Sequence, residues 1–595
     1  MRRVTIAGVC VLALLSPAVD ARDQQQVIIN GPSRDRAGVP GMASREIKTG
    51  TGRIRGRVLS AETGSAVRRV QVRVFGPDIG MKLATTDDDG RFEFRGLPAG
   101  RFSLSATKSG YVSAQYGQTR PFESGKPLEL ADGQILDKAN ILIPRGSAIT
   151  GRILDEFGEP VTEAMVAAMR SVWSNGQRRL QPAGRMMPTN DLGQFRLYGL
   201  PAGDYYISAT LRDTIAMEVS MMGTPTAANS VSAAGYAPTY FPGTANGSDA
   251  QKITIAAGQD AHNTDFALLP VRLARITGVV IGSDGKPSAG SMVTAMSRNG
   301  DNMMGMMLGG SSSRTNRDGT FTLAGLPPGE FILQSRTMQI MTTGSGDMMS
   351  FSATISEPGT PQAESGSVVL AVNGEDLGNV VITQSKGATA SGQITFADGA
   401  RPSNMPALRV MAIPSNEISM MGSGPPAQAN ADGTFELRGL AGAFVLRVVN
   451  LPQGWMLRSV LVNGEDVTDR GMEFKGTESI AGIEIVVTSK VTELSGAVKG
   501  PSGAPVKDYT VMVFSDDPER WTIPNSRYVV SARPDQEGRF KLRGLPPGGY
   551  YAAAADYLAQ GEWGDPELLE RIKTKASRIT LEDGEKKVLD LKLDR

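Results

Sequence analysis

Few residues in this chain are equipped for chemistry. There is one histidine, His262, in the stretch Gly-Gln-Asp-Ala-His-Asn-Thr-Asp. A zinc peptidase needs several nitrogen or oxygen ligands, usually with at least two histidines among them, and a Ser-His-Asp triad would have to use this same imidazole. No nucleophile-elbow sequence accompanies it, so His262 reads as an exposed loop residue. The only cysteine, Cys10, lies in the first 21 residues, so the rest of the chain has no thiolate nucleophile, thiolate metal site or disulfide. Acids are plentiful, but nothing singles out a pair spaced for glycoside cleavage. Asp87-Asp88-Asp89-Gly90 with Glu93 could offer oxygens to Ca²⁺. Equivalent turns further along carry Leu192, Arg317 or Ala431 in the same place, so the turn forms without those charges. The sequence therefore assigns no catalytic residue, no cofactor and no metal.

What remains is contact chemistry. Trp521, Tyr528 and Trp563 near the C-terminus, and Tyr236 and Tyr240 with Phe241 in YAPTYFPG, could stack on the pyranose faces of sugars. The alternative for each is core or edge packing. Methionine pairs at Met186-Met187, Met221-Met222, Met348-Met349 and Met420-Met421, with the run Met303-Met304-Gly305-Met306-Met307, sit in Gly/Ser-rich stretches. They are open to three readings: flexible loops, a plastic contact surface or a Cu(I) site. No Lys on an opening strand faces an Asn on a closing strand across the repeats, as an internal isopeptide bond would require.

The elements that must position these side chains come from a repeat. One motif recurs five times: DDDGRFEFRGLPAGRFSLSA from Asp87, NDLGQFRLYGLPAGDYYISA from Asn190, NRDGTFTLAGLPPGEFILQS from Asn316, NADGTFELRGLAGAFVLRVV from Asn430 and DQEGRFKLRGLPPGGYYAAA from Asp535. Asp or Asn three residues before Gly suits a type I turn, since the side chain bonds the backbone ahead and Gly accepts any φ. The strand that follows alternates, as in Phe92, Phe94 and then Leu97, with a slip of one at its end. A Leu-Pro-x-Gly turn leads into a second alternating strand at Phe102, Tyr205, Phe331 or Tyr550; the fourth copy, Gly439-Leu440-Ala441-Gly442, lacks the proline and is one residue shorter, which predicts a tighter or irregular turn.

Each repeat opens alike, as in RIRGRVLSAETGSAVRRVQVRV from Arg53, SAITGRILDEFGEPVTEAMVAA from Ser147, ARITGVVIGSDGKPSAGSMVTA from Ala274 and ELSGAVKGPSGAPVKDYTVMVF from Glu493, with a looser version from Ala388. Closing strands bring the count to about seven short strands per repeat, the arithmetic of a β-sandwich. The pattern G-x-V-x-x-x-x-G-x-P followed by D-x-x-G-x-F-x-L-x-G-L-P-x-G resembles the carboxypeptidase regulatory-like domains. That resemblance implies a transthyretin-like sandwich, also grouped with starch-binding-like domains and similar to Cna-B-type adhesin modules. It implies no peptidase, because that accessory domain is separable from the zinc enzyme it is named for.

The expected fold is all-β, about five tandem immunoglobulin-like or transthyretin-like sandwiches at 52–146, 147–271, 272–387, 388–491 and 492–595. In the last, Asp565-Pro566-Glu567 reads as a helix start, and a short helix is expected at about 566–577 to cover an edge or an open face. Residues 1–21, with Arg2 and Arg3 before an apolar run to Leu15 and a small-residue exit, have the layout of a signal peptide, and 22–51 a flexible lead-in. Lys plus Arg is 62 against 61 Asp plus Glu, so no net field favours nucleic acid or an anionic membrane. No stretch after the leader is apolar enough to span a membrane. These readings converge on an exported, periplasmic, cell-surface or secreted protein without catalysis, whose partners are envelope proteins or polysaccharide. Service as the accessory subunit of an extracytoplasmic enzyme is the remaining alternative.

Overall fold

The computed structural model describes residues 48–174, 177–211, 234–298, 311–337, 363–399, 408–415, 424–524 and 526–593. The proposed signal peptide, most of the lead-in and the methionine clusters at 221–222, 303–307, 348–349 and 420–421 lie outside them. The chain forms two compact units. The smaller is built from residues up to Lys108, Ser113–Gly117 and Leu128–Ile143; the larger from Ser109–Val112, Gln118–Pro127 and Pro144–Arg595.

Five sandwiches follow one plan, the first in the smaller unit and the second to fifth in the larger. In each, the opening strand lies between the motif strand, antiparallel, and the closing strand, parallel. Gly52–Ser60 lies between Arg91–Leu97 and Ile135–Leu136 with Ile141–Ile143. Ser147–Leu154 pairs with Gln194–Leu200 on one side and Asp260–Ala261 with Phe266–Ala267 on the other. Ala274–Ile281, Ala388–Phe396 and Glu493–Lys499 repeat the arrangement. The second sheet centres on the strand after the Leu-Pro-x-Gly turn, as where Gly329–Thr337 lies between Ser291–Ser297 and Ser365–Val372. Alternate residues of both sheets meet in the core. Phe92, Phe94, Phe321 and Phe540 are fully buried, each contributing about 1.5–3 kcal/mol.

The turn chemistry is the same five times. The glycine N–H of Gly90, Gly193, Gly319, Gly433 and Gly538 donates to the carbonyl of Asp87, Asn190, Asn316, Asn430 and Asp535 at 2.9–3.1 Å, and each glycine is left-handed, with φ between 68° and 92°. The slip at the end of the motif strand is a bulge in the first four sandwiches, where Gly96, Gly199, Gly325 and Gly439 take φ of 68–79° and the register shifts by one. In the fourth copy a single residue, Ala441, joins Thr434–Leu440 to Gly442–Val449, so of the tighter or irregular turn expected without proline it is the tighter one that forms.

The opening-strand glycine has a separate reason. At Gly56, Gly151, Gly278, Gly392 and Gly496 a Cβ would lie 1.8–2.2 Å from a carbonyl oxygen of the closing segment. Each of these glycines stands opposite the first phenylalanine of the motif strand, as Gly56 does Phe92 and Gly278 does Phe321. The aromatic ring covers the backbone that the missing side chain leaves bare.

The helix of the fifth sandwich, α1, runs Pro566–Lys573, with the Asp565 carboxylate accepting from the Glu567 N–H at 2.9 Å. It ends four residues before the sequence-based limit because Ser577 begins a strand that pairs with Gly548–Ala555. Leu569 of α1 is buried against Phe514 and Trp521, so the helix covers the outer face of the sheet that carries Thr510–Ser515. This is why that strand is buried on both faces. Among the described residues no helix is long and apolar enough to cross a membrane.

Candidate functional site

The aromatic residues singled out in the sequence separate in space. Trp521 is 6% exposed; its indole N–H donates to the Ser515 carbonyl at 2.7 Å and its ring meets Phe514 edge-on at 5.5 Å. It is a core residue beneath α1, with no open ring face. Tyr528 is half-buried, with the Arg520 guanidinium 4.5 Å from its ring centroid and Arg527 at 5.9 Å. Burial pushes its phenol up, and the nearby Asp469 charge adds to the shift. Trp563 is half-buried in the short 3₁₀ turn Glu562–Gly564 that precedes α1. In the second sandwich Tyr236 donates to Glu156 at 2.6 Å, a bond that with burial raises its phenol to about 12. Tyr240 is half-buried in Thr239–Tyr240, paired to Ser208–Ala209. Met187 packs against the core of the second sandwich.

Other residues read for chemistry are held by local structure. His262 is exposed, with Nδ1 2.9 Å from the Thr150 hydroxyl. The carboxylate of Asp87 accepts from the Arg91 N–H at 2.7 Å, Asp89 pairs with Arg91 at 2.8 Å, and Glu93 is bonded by Arg55 and Arg95. Among the described residues no group of three or more His, Cys, Asp or Glu is placed to hold a metal ion.

A dense polar cluster was invisible in the sequence. Within the larger unit, the segment Gln118–Pro127, reading QTRPFESGKP, lies against both the second and the fifth sandwich. The Phe122 ring sits under the Arg170 guanidinium at 3.2 Å and meets Tyr205 edge-on at 6.4 Å. Gly203 makes room for it, since a Cβ there would be 2.9 Å from the ring. The next residue, Glu123, is wholly buried and ion-paired to Arg533 of the fifth sandwich, itself buried and also paired to Asp508. Glu123 further accepts from the Thr119 N–H at 3.0 Å and the Arg120 N–H at 3.3 Å. Tyr557 donates to the Pro121 carbonyl at 2.8 Å, the Gln560 N–H to the Phe122 carbonyl at 2.9 Å, and Arg120 pairs with Asp556 at 2.8 Å. Buried charges are tolerated here because each has partners.

A second buried network joins the fourth and fifth sandwiches. Asp469 is gripped by Arg527 at 2.7 and 2.8 Å and by Arg447 at 3.2 Å, while Arg527 also donates to the Leu457 carbonyl at 3.0 Å. Burial alone would raise the Asp469 carboxyl. The Arg527 hydrogen bonds and the two guanidinium charges outweigh it and hold the group below its ordinary value. Neither network has a local signature.

Residues 53–137 match the family model of the carboxypeptidase regulatory-like domain. No protein with a curated description matches the chain. Among solved structures the chain is similar to the Bacillus anthracis TIE protein, at 11% identity over 74% of this chain and 72% of that one, TM-score 0.15. It is similar to a Streptococcal ancillary pilin, at 13% over 56% and 98%, TM-score 0.19. It is also similar to two B repeat units of the Staphylococcus aureus collagen binding protein, at 11% over 74% and 99%, TM-score 0.13. Similarity at this level carries nothing about activity or partners.

Proposed function

We propose, for a chain whose residues 53–137 form a carboxypeptidase regulatory-like domain, that the protein is an exported, non-catalytic scaffold that binds or spaces protein partners at the cell envelope or outside the cell. The observation that carries this reading is the use of buried charge. Glu123, which is buried, and Asp469, which is largely buried, are both spent on fixing parts of the larger unit to one another. A scaffold needs that fixed spacing, whereas a general acid or base needs a carboxylate open to a substrate. The leader-like first 21 residues support export.

The test is capture from an envelope fraction. The chain from Arg22 onward, immobilised, is cross-linked to envelope extract, and saturable retention of a defined protein is expected. Retention only on polysaccharide would replace this reading with the carbohydrate-binding one. That second reading rests on Tyr528 and Trp563, two half-buried rings of the fifth sandwich. It expects saturable, sugar-competed binding that Tyr528→Ala or Trp563→Ala abolishes while the circular dichroism spectrum is unchanged.

A further inference from the structure

The segment Gln118–Pro127 lies on its neighbours as a bound peptide lies on a receptor. Three consecutive residues are read in three ways. The Pro121 and Phe122 carbonyls are taken by the Tyr557 hydroxyl and the Gln560 N–H. The Phe122 ring is seated between Arg170 and Tyr205 over the bare Cα of Gly203. The Glu123 carboxylate meets the buried Arg533. Phe122 is held at φ 60°, a left-handed conformation that a non-glycine residue adopts at a cost of about 1–2 kcal/mol. The seat, not the local sequence, stabilises it.

We propose that this cleft between the second and fifth sandwiches is a recognition site for a peptide that turns at a proline and an aromatic residue followed by an acid, and that Pro121-Phe122-Glu123 fills it as an intramolecular stand-in. The inference rests on the partner-binding reading above and names a partner chemistry for it. Exchange is feasible because each half keeps partners when they separate. Arg533 retains Asp508, and Glu123 retains the N–H groups of Thr119 and Arg120. An internal ligand lowers the apparent affinity for an external one by the fraction of time the seat is empty, so weakening the stand-in must strengthen binding in trans.

The probe is a fluorescein-labelled peptide with the sequence of residues 117–128, GQTRPFESGKPL, titrated by fluorescence polarisation against the full chain. Phe122→Gly keeps the left-handed backbone and empties the ring seat. It is expected to bind the peptide at least about tenfold more tightly than the wild type, with the gain lost on adding Arg533→Met or on replacing the peptide's glutamate by glutamine. A Phe122→Gly protein with wild-type circular dichroism and melting but no gain overturns the site, as does a gain that the glutamine peptide shares. Should that variant not fold, hydrogen exchange on the wild type decides: saturating peptide must speed exchange at the Glu123 amide, which donates to the Arg120 carbonyl across the turn that the seat stabilises, and an unchanged rate overturns the proposal. An envelope protein captured by the wild type and indifferent to the peptide would remove this site and leave the scaffold reading standing. Loss of all capture would remove the scaffold reading itself.

Discussion

The opening-strand glycines show how one residue can be constrained by a strand far from it in sequence. The five are legible as a repeated letter. Their cause is the closing-segment carbonyl, such as that of Val380, which a Cβ on Gly278 would approach to 2.0 Å. Gly278→Ala must push two hydrogen-bonded backbones apart, and overpacking of this kind costs about 1–3 kcal/mol. Hydrogen exchange should show the amides of Ala274–Ile281 losing protection, while those of the fourth sandwich keep theirs. A variant with wild-type protection there would refute the close-approach account. Asp469 gives a second prediction at this scale. Its folded carboxyl lies below the ordinary 3.8, so its ion pairs stabilise the protein above that pH, and the contribution is lost as pH falls through the lower folded value. Asp469→Asn should therefore be less stable at pH 7 and lose less on acidification below pH ~4 than the wild type. Parallel acid-unfolding curves would show that the network is not coupled to proton uptake.

At the scale of elements, the Asx turns, the alternating strands and the start of α1 are local matters, decided within four or five residues, and were legible for that reason. The helix end was not, since it depends on where Ser577–Leu581 finds a partner strand. Nor was the role of Trp521 legible. A tryptophan beside a loop reads equally as a platform or as a core residue until the position of α1 is known. Leu569→Ala removes the side chain that α1 buries against Trp521, at a cost of about 2–5 kcal/mol. The Trp521 contribution to fluorescence should shift to the red and become accessible to iodide, measured as the difference from a Trp521→Phe background. An unchanged spectrum would mean that α1 does not seal this face.

At the scale of the molecule, the larger unit draws cohesion from contacts between sandwiches that are not neighbours in sequence. Arg533 and Glu123 are 410 residues apart. Breaking such a pair by removing one partner costs about 3–5 kcal/mol, whereas replacing both costs less because no buried charge is left over. Arg533→Met alone should therefore lower the melting temperature more than Arg533→Met with Glu123→Leu; the reverse order would refute the pairing. The sequence by itself determined the all-β class, the five-fold repeat, the turn chemistry and the poverty in catalytic side chains. Those follow from hydrogen bonds to residues three or four away, from the two-residue period of a strand, and from counting. Only the tertiary structure decided which surfaces meet: that Pro121-Phe122-Glu123 lies between the second and fifth sandwiches, that Trp521 is covered, and that Asp469 is shared by Arg447 and Arg527. An ion pair leaves no periodic or local trace in a chain, because its energy depends on burial and separation in space, and neither is written within the window of a turn.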